Sequence, residues 1–458
     1  MKKNTVPDEL LNKYSELINI NDRIPVEKYE RYDIKKGLRD KSGKGVLAGV
    51  TNISRVTGVE EQGDKIVPVK GQLYYRGYDV HDLVDGALKK LDSEKRTDIY
   101  EEAAFLLLMG KLPTAEQLSM FRKTLAQCMT LPRNFTRDVI MKAPSKDLMN
   151  SLTRSVLTLQ SYDRTIGDQR LSVQLMQCIK LISQIPMLAV YGYHAYNYSI
   201  NGGDMYIRRP KAEYTAGENI LMMLRQDGKF QPFEAAVLDI ALMLHMEHGG
   251  GNNSTFTTRV VTSTGSDTYS TIAASLCSLK GPKHGGANIK VVEMMKNIRE
   301  NVSDIKDEDA IEAYIDKMLD GEVFDRKRLV YGIGHAVYSL SDPRAEIFKL
   351  YAEELAKSKG RKDDFDFYRS VENAAVKLIP QKRHIYKGVC CNVDLYSGLV
   401  YDLLGIPVEL FTPLFATARI VGWSAHRMEE IVNSDKIIRP AYQSVVDKAE
   451  YLPIDQRN

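Results

Sequence analysis

Four polar side chains sit where their own sequence offers them little company. His284 lies in GPKHGGAN (281–288), a titratable ring among residues that bend the backbone, with an amphipathic stretch directly after it. At a helix start the positive end of the macrodipole favours the neutral ring. A neutral imidazole donates one hydrogen bond to a carbonyl and keeps its proton; the plain alternative is a loop histidine that caps the helix. His335 in YGIGHAVYSLSDPRAE has the same layout, and Arg344 follows in the first turn of the next helix. Exposed backbone N–H groups and an arginine fork make a carboxylate or phosphate site, unless the arginine merely lies on a solvated face. Asp394 in CCNVDLYSGLVYDLLGIP falls in the first turn of a helix capped by Asn392. Aspartate is common there for dipole reasons, and one held in a cleft serves as a general base. Arg419 is the one charge in FTPLFATARIVGW. Buried without an anion it would cost several kcal/mol, so it needs an anionic ligand or a distant Asp or Glu.

Together these groups suit proton abstraction beside a carbonyl, with a di- or tricarboxylate held by the arginines. Aspartate takes the proton, one histidine holds the enol oxygen, and the other stabilises charge on the acceptor carbonyl. That chemistry requires no metal, redox cofactor or nucleophile. Three other motifs fail. GKGVLAG (43–49) is one residue too long for a dinucleotide fingerprint. HGG at 284–286 lacks a G-x-S-x-G partner. His245 and His248, three apart, lack the glutamate and spacing of a zinc helix and have no third ligand nearby. No metal site is expected.

The elements that must position these groups read as helices. TDIYEEAAFLLLMGKLPTAEQLSMFRKTL gives two, broken at Gly110 and Pro113, the second starting at Thr114 with Gln117 three on. FEAAVLDIALMLHMEH is apolar almost all round and should be a core helix stopped by Gly249–Gly251. KVVEMMKNIRENV puts Val291, Met295, Ile298 and Val302 on one stripe. DPRAEIFKLYAEELAKS begins with Asp342 as N-cap and Pro343 at the first helical position. The charged run SKGRKDDFDFYRS (358–370) reads as a solvated loop. Strand-like alternation is confined to short runs such as KIVPVKGQLYYRGY, so the expected class is all-α with a minor β element.

The bulk numbers agree with an ordinary globular protein: 458 residues, 43% hydrophobic, 27% charged, formal net charge +3. Near-neutral charge points to neither nucleic acid nor an anionic membrane, and no apolar run is expected to span a bilayer. The N-terminal stretch has no apolar signal region, and the five scattered cysteines contain no CxxC, a reduced pattern that makes the cytoplasm the expected location.

LYYRGYDVHDL, FLLLMGKLPTAEQL, HMEHGGGNNSTFT, GPKHGGANIKVVEMM, GIGHAVYSLSDPRAE, CNVDLYSG and FATARIVGWSAHRMEE, in this order, resemble the citrate synthase family over nearly the whole chain. The resemblance implies an acyltransferase of the Si type that condenses acetyl-CoA with oxaloacetate, or its 2-methylcitrate relative using propionyl-CoA. His284 would hold the thioester carbonyl and Asp394 remove a methyl proton, while His335 and His248 polarise the oxaloacetate carbonyl. Arg344 and Arg419 match the carboxylate-binding arginines, and Arg439 in IIRPAY the one supplied by the partner of a homodimer. The glycines beside His284 would let substrate approach closely. Acetyl-CoA is then a co-substrate, and no cofactor is bound permanently. Val330, Gly332, Ile333 and Gly334 match the loop that lines the CoA adenine, with Lys387 as a basic neighbour. Ser339 stands where many members carry Arg or Lys, leaving Arg326, Lys327 and Arg328 as substitutes. The family further implies a two-domain helical fold: residues 1–285 and 401–458 form a large, dimer-forming domain, and 286–400 a small domain that closes over the site. The N-terminal forty residues read as helical, closer to dimeric members than to those with a β-rich regulatory extension, so inhibition by NADH is not expected.

Overall fold

The computed structural model describes residues 8–40, 44–63, 65–94, 97–385 and 388–457. Two compact units emerge. One comprises Met1–Gly49 with Arg439–Asn458, the other Val50–Ile438. The terminal unit carries α1 (Asp8–Asn21) and α2 (Val26–Arg31), and Leu10, Leu11, Tyr14, Leu17 and Ile18 of α1 are all exposed.

The larger unit opens with β1 (Ser54–Gln62), β2 (Lys65–Tyr75) and β3 (Tyr78–Asp79), an antiparallel sheet in that order. Helices follow: α3 (Val80–Glu94), α4 (Ile99–Met109), α5 (Ala115–Cys128), α6 (Leu148–Gln160), α7 (Leu171–Asn201), α8 (Ala216–Leu224) and α9 (Pro232–His245). Next come α10 (Asn253–Thr262), α11 (Thr268–Leu279), α12 (Ala287–Asn301), α13 (Glu308–Asp320) and α14 (Pro343–Ser358). The last are α15 (Lys362–Arg383), α16 (Val393–Leu403) and α17 (Phe411–Asn433). The class is all-α with one small sheet.

The caps written in the sequence start and stop these helices. Gly110 takes a left-handed φ of 83° to end α4, and Thr114 and Gln117 close a capping box on α5. Asp342 accepts from the Arg344 N–H, with Pro343 in the first turn of α14. Helix α9 ends at His245, ahead of the glycines, which leaves His248 in a loop. The α12 stripe buries Val291, Met295 and Ile298 and adds Met294, while Val302 falls just past the helix.

Two expectations are corrected. The 358–370 run is helical from Lys362, because Phe365, Phe367 and Tyr368 are buried while Lys362, Asp366 and Arg369 form ion pairs outside. Amphipathic burial, not the density of charge, decides that segment. Helix α7 is also long and apolar enough to cross a membrane; it is a core helix here, 67% of its apolar window being buried inside the protein. Helices α5, α6, α8 and α17 cover it.

The sheet is a bed for loops. A Cβ at Gly71 of β2 would meet the Ser341 carbonyl at 2.1 Å and the Tyr338 ring at 2.6 Å. Only glycine lets that backbone lie so close. Tyr75 at the end of β2 donates its hydroxyl to the carbonyls of Met243 (3.0 Å) and Glu247 (3.2 Å). The sheet thus supports both the His335 loop and the His248 loop. Helices α12–α16 pack chiefly among themselves, and α17 lies against α4, α7, α9, α10 and α11.

Candidate active site

His335 follows a loop tied across a β-bridge between Ile333 and Cys391. Gly334 N–H donates to the Cys390 carbonyl (2.8 Å), and Asn392 returns its N–H to Gly332 (2.9 Å) and its Nδ2 to Gly334 (2.8 Å). Asn392 also caps α16 through the Asp394 N–H at 2.9 Å. One asparagine therefore links the His335 loop to the helix turn that carries Asp394.

The His335 ring stacks on Tyr338, centroids 4.7 Å apart. Its Nδ1 accepts from the N–H groups of Val337 and Tyr338, both at 3.1 Å, so the neutral ring carries its proton on Nε2. His248 meets this ring edge-on, centroids 5.1 Å apart and planes at 89°. His248 Nε2 is buried without a hydrogen-bond partner. Burial holds the His248 ring well below the usual histidine range, with Arg344, His335 and Arg419 adding to the effect.

His284 sits in the turn between α11 and α12, Nε2 lying 3.1 Å from Ser254 Oγ. That oxygen also accepts from Trp423 Nε1 (3.1 Å) and donates its proton to Asn252 Oδ1 (2.9 Å). The ring nitrogen not engaged by Ser254 is Nδ1. Burial and then Arg419 push this imidazole down to about 4, so it is neutral at working pH. Gly285 has a different reason to be glycine than substrate approach: a Cβ there would meet the Leu279 carbonyl at 2.4 Å and Thr412 at 2.9 Å. The turn's own packing excludes a side chain.

Asp394 is pushed up to about 6 by burial, with Arg344 opposing, Asp342 reinforcing and Arg419 opposing. Arg344 is buried and paired with Asp342, Nε to Oδ1 at 3.0 Å and Nη2 to Oδ2 at 2.8 Å. Asp342, read from the sequence as a helix cap only, thus also fixes the arginine fork.

Arg419 has no such partner. It is 1% exposed, donates Nε to the His245 carbonyl at 2.7 Å, and stacks its guanidinium 4.7 Å from the Phe415 ring centre. Its Nη1 is buried without an acceptor, and no ion pair among the described residues includes it. Burial drives it down to about 10, with Glu247 holding it up. The Glu247 charge acts on it without pairing with it, which leaves Nη1 for the acceptor of a bound anion.

Of the remaining candidates, Val330 is buried, while Gly332, Ile333 and Gly334 form the tied loop just described. Ser339 is buried, and Arg326, Lys327 and Arg328 are exposed in a turn. Lys387 lies outside the described residues. Arg439 is exposed and belongs to the terminal unit. The His245 ring lies against Phe348, Phe415 and Tyr401, and no group of three or more His, Cys, Asp or Glu able to hold a metal occurs among the described residues. Ser254, Tyr338 and Glu247 escaped the sequence reading, since nothing local distinguishes them from ordinary core polar residues.

A helical body with neutral imidazoles, a raised carboxyl and two buried arginines has the make-up of an enzyme for carbanion chemistry on carboxylates. Comparisons with known proteins agree. The family profile described as citrate synthase, C-terminal domain, matches residues 40–441. The citrate synthase of Synechocystis sp. is 32% identical over 417 residues, covering 90% of this chain and 92% of that protein. The 2-methylcitrate synthase of Shewanella oneidensis is 33% identical over 420 residues, 90% of this chain and 97% of that one. Citrate synthase from Thermoplasma acidophilum, solved with carboxymethyl coenzyme A and oxaloacetate, superposes with a TM-score of 0.73 at 26% identity, covering 93% of this chain and 99% of that chain. The Thermotoga maritima citrate synthase superposes at 0.70 with 31% identity, 91% and 99% covered. The chain belongs to the citrate synthase family, whose members are acyltransferases.

Proposed function

We propose that the protein condenses acetyl-CoA with oxaloacetate and water, giving citrate and free CoA. The observation that carries this reading is Arg419: a buried guanidinium with an unpaired Nη1, beside a second buried arginine and two neutral histidines. A dicarboxylate satisfies that demand. His335 offers its Nε2–H to the ketone oxygen, with His248 beside it. With the Ser254 hydroxyl turned from Asn252 to Nε2 and the ring proton on Nδ1, His284 holds the thioester oxygen while Asp394 takes a methyl proton, and the enol carbon attacks the polarised ketone. Water then cleaves the citryl thioester, releasing CoA.

Residues 286–400 are proposed to move as a small domain over the rest, carrying His335, Arg344 and Asp394. The packing of α12–α16 chiefly among themselves supports this, and closure would shield the enol from water. A homodimer is proposed with Arg439 serving the partner's site. Its support is the tail beyond Arg439, where Tyr442, Val446, Tyr451 and Ile454 are each at least 80% exposed in a single chain. The Val330–Gly334 loop and the basic turn at 326–328 are the proposed CoA contacts, and the free cysteines among the described residues support a cytoplasmic location.

A 2-methylcitrate synthase is also among the similar proteins, so propionyl-CoA is the alternative acyl donor, with acetyl-CoA the leading one. One methylene is worth only about 1–3 kcal/mol of discrimination. Steady-state rates with acetyl-CoA and propionyl-CoA, following free CoA with a thiol reagent in the presence of oxaloacetate, test both. No CoA release from either thioester would refute the reading.

A further inference from the structure

The loop that carries His248 is fastened to one face of α17. Arg419 donates to the His245 carbonyl at 2.7 Å. Three residues on, a Cβ at Gly422 would meet the Met246 carbonyl at 2.3 Å and Glu247 Oε2 at 2.5 Å, so the helix backbone itself abuts the loop. Four residues further, His426 places Nε2 3.0 Å from Glu247 Oε1. Positions i, i+3 and i+7 share a helix face, and all three touch residues 245–247.

Glu247 and His426 are both 0% exposed. Glu247 Oε1 also accepts from Ser54 Oγ at 2.8 Å and from the Gly249 N–H at 2.6 Å. The last bond bends the chain around His248, which lies between donor and acceptor. On the far side of the imidazole, Arg259 Nη2 donates to His426 Nδ1 at 2.7 Å. A guanidinium can only donate, so the His426 proton is on Nε2 and goes to Glu247. Arg259 is held in turn by Glu429 and, at 2.9 Å, by Glu430. Glu429 is anchored by the Thr51 hydroxyl and the Asn52 N–H, both at 2.7 Å. Tautomer and orientation of His426 are therefore set from behind. Burial works to raise the Glu247 carboxyl, but His426, Arg419 and Ser54 hold it down at about 2, so it is an anion.

We propose that Glu247 and His426 are positioning residues: the fixed imidazole holds the carboxylate, and the carboxylate sets the 247–249 bend that aims the His248 ring at His335. Neither touches substrate. The kinetic consequence rests on the oxaloacetate reading above; the structural one does not.

A double-mutant cycle with His248→Ala tests the idea. His426→Phe removes the donor and should lower kcat/KM for oxaloacetate about tenfold, as coupling within one hydrogen-bond network allows. In the His248→Ala background the same change should add less than about threefold. His426→Gln, which keeps a donor, should recover most of the loss. Equal losses in both backgrounds overturn the proposal. Should His426→Phe not fold, Glu247→Gln takes its place in the cycle with the same expectation. Nitrogen NMR of the histidine-labelled, ligand-free protein gives a readout independent of the reaction. The His248 ring signals should move in His426→Phe, or in Glu247→Gln, and stay in His426→Gln; signals unmoved in the disrupting variant overturn it. Moved signals in a protein that releases no CoA would sink the substrate reading alone.

Discussion

The rings of His248 and His335 stand perpendicular with centroids 5.1 Å apart, although 87 residues separate them in the chain. One is carried on the loop after α9, the other on a loop tied to the cap of α16. Neither reaches the other without the sheet beneath them: Tyr75 fastens the first loop, and Gly58 and Gly71 admit the second. His335 has a donor at Nε2 and His248 an unpartnered Nε2, the two groups proposed to act on the ketone oxygen.

As the proposed base, Asp394 should set the acid limb of activity. Its folded pKa is raised from 3.8 to about 6, and only the ionised form accepts a proton. The kcat/KM profile should therefore fall as pH drops through about 6, while His284, already neutral above about 4, contributes nothing there. Asp394→Asn should lower kcat at least ~10²-fold. Because the folded pKa is raised, the stability contribution of this group is present below 3.8 and lost as pH rises through about 6. Asp394→Asn should accordingly raise Tm at pH 8 relative to wild type and leave it little changed at pH 4. A turnover within a few-fold of wild type would reduce Asp394 to a helix cap.

Arg419 should be the main grip on the dicarboxylate. Oxaloacetate at about a hundred times its Kd stabilises a binding protein by about 2.7 kcal/mol, and calorimetry should show the corresponding rise in Tm. Arg419→Gln should weaken binding by about 2–5 kcal/mol, the range for truncating one partner of a buried charge pair, and cut the rise to about a third or less. An unchanged thermal response would transfer the role to Arg344.

His284→Ala should act on enol formation, since the lost bond strengthens as charge grows on the thioester oxygen. Exchange of the acetyl-CoA methyl protons in heavy water, with an oxaloacetate analogue bound, reports that step directly. Exchange as fast as in wild type would remove His284 from it. Ser254→Ala, which frees Nε2 of the same ring, should slow exchange by a smaller factor.

Arg439 gives the proposed dimer a clean test, because a two-fold assembly would use the residue twice. Subunits carrying Asp394→Asn and Arg439→Ala, refolded together, form heterodimers in which one site has both defects and the other neither. Activity should recover towards half of wild type per heterodimer. If the arginine served its own subunit, every site would keep one defect and the mixture would stay inactive.

Helix ends, caps and the apolar stripe of α12 were legible in the residues themselves, because hydrogen bonds at a helix terminus are local and periodicity is a property of a few consecutive turns. Thr114, Asp342 and Asn392 announce their helices in this way. The types of group in the site were legible too, since His284, His335, Asp394 and Arg419 stand out against glycine or apolar neighbours. Their partners were not. Asp342 clamps Arg344, Ser254 occupies His284, and Glu247 with His426 holds the His248 loop. The Ser254 and His426 contacts bridge 30 and 179 residues, distances at which no local pattern carries information. The same holds for the charged run at 358–370, where three aromatic side chains outweigh the charges only once a core exists to receive them. Local hydrogen bonding decides where a helix begins; which buried ion meets which counter-ion is decided when distant elements close and exclude water.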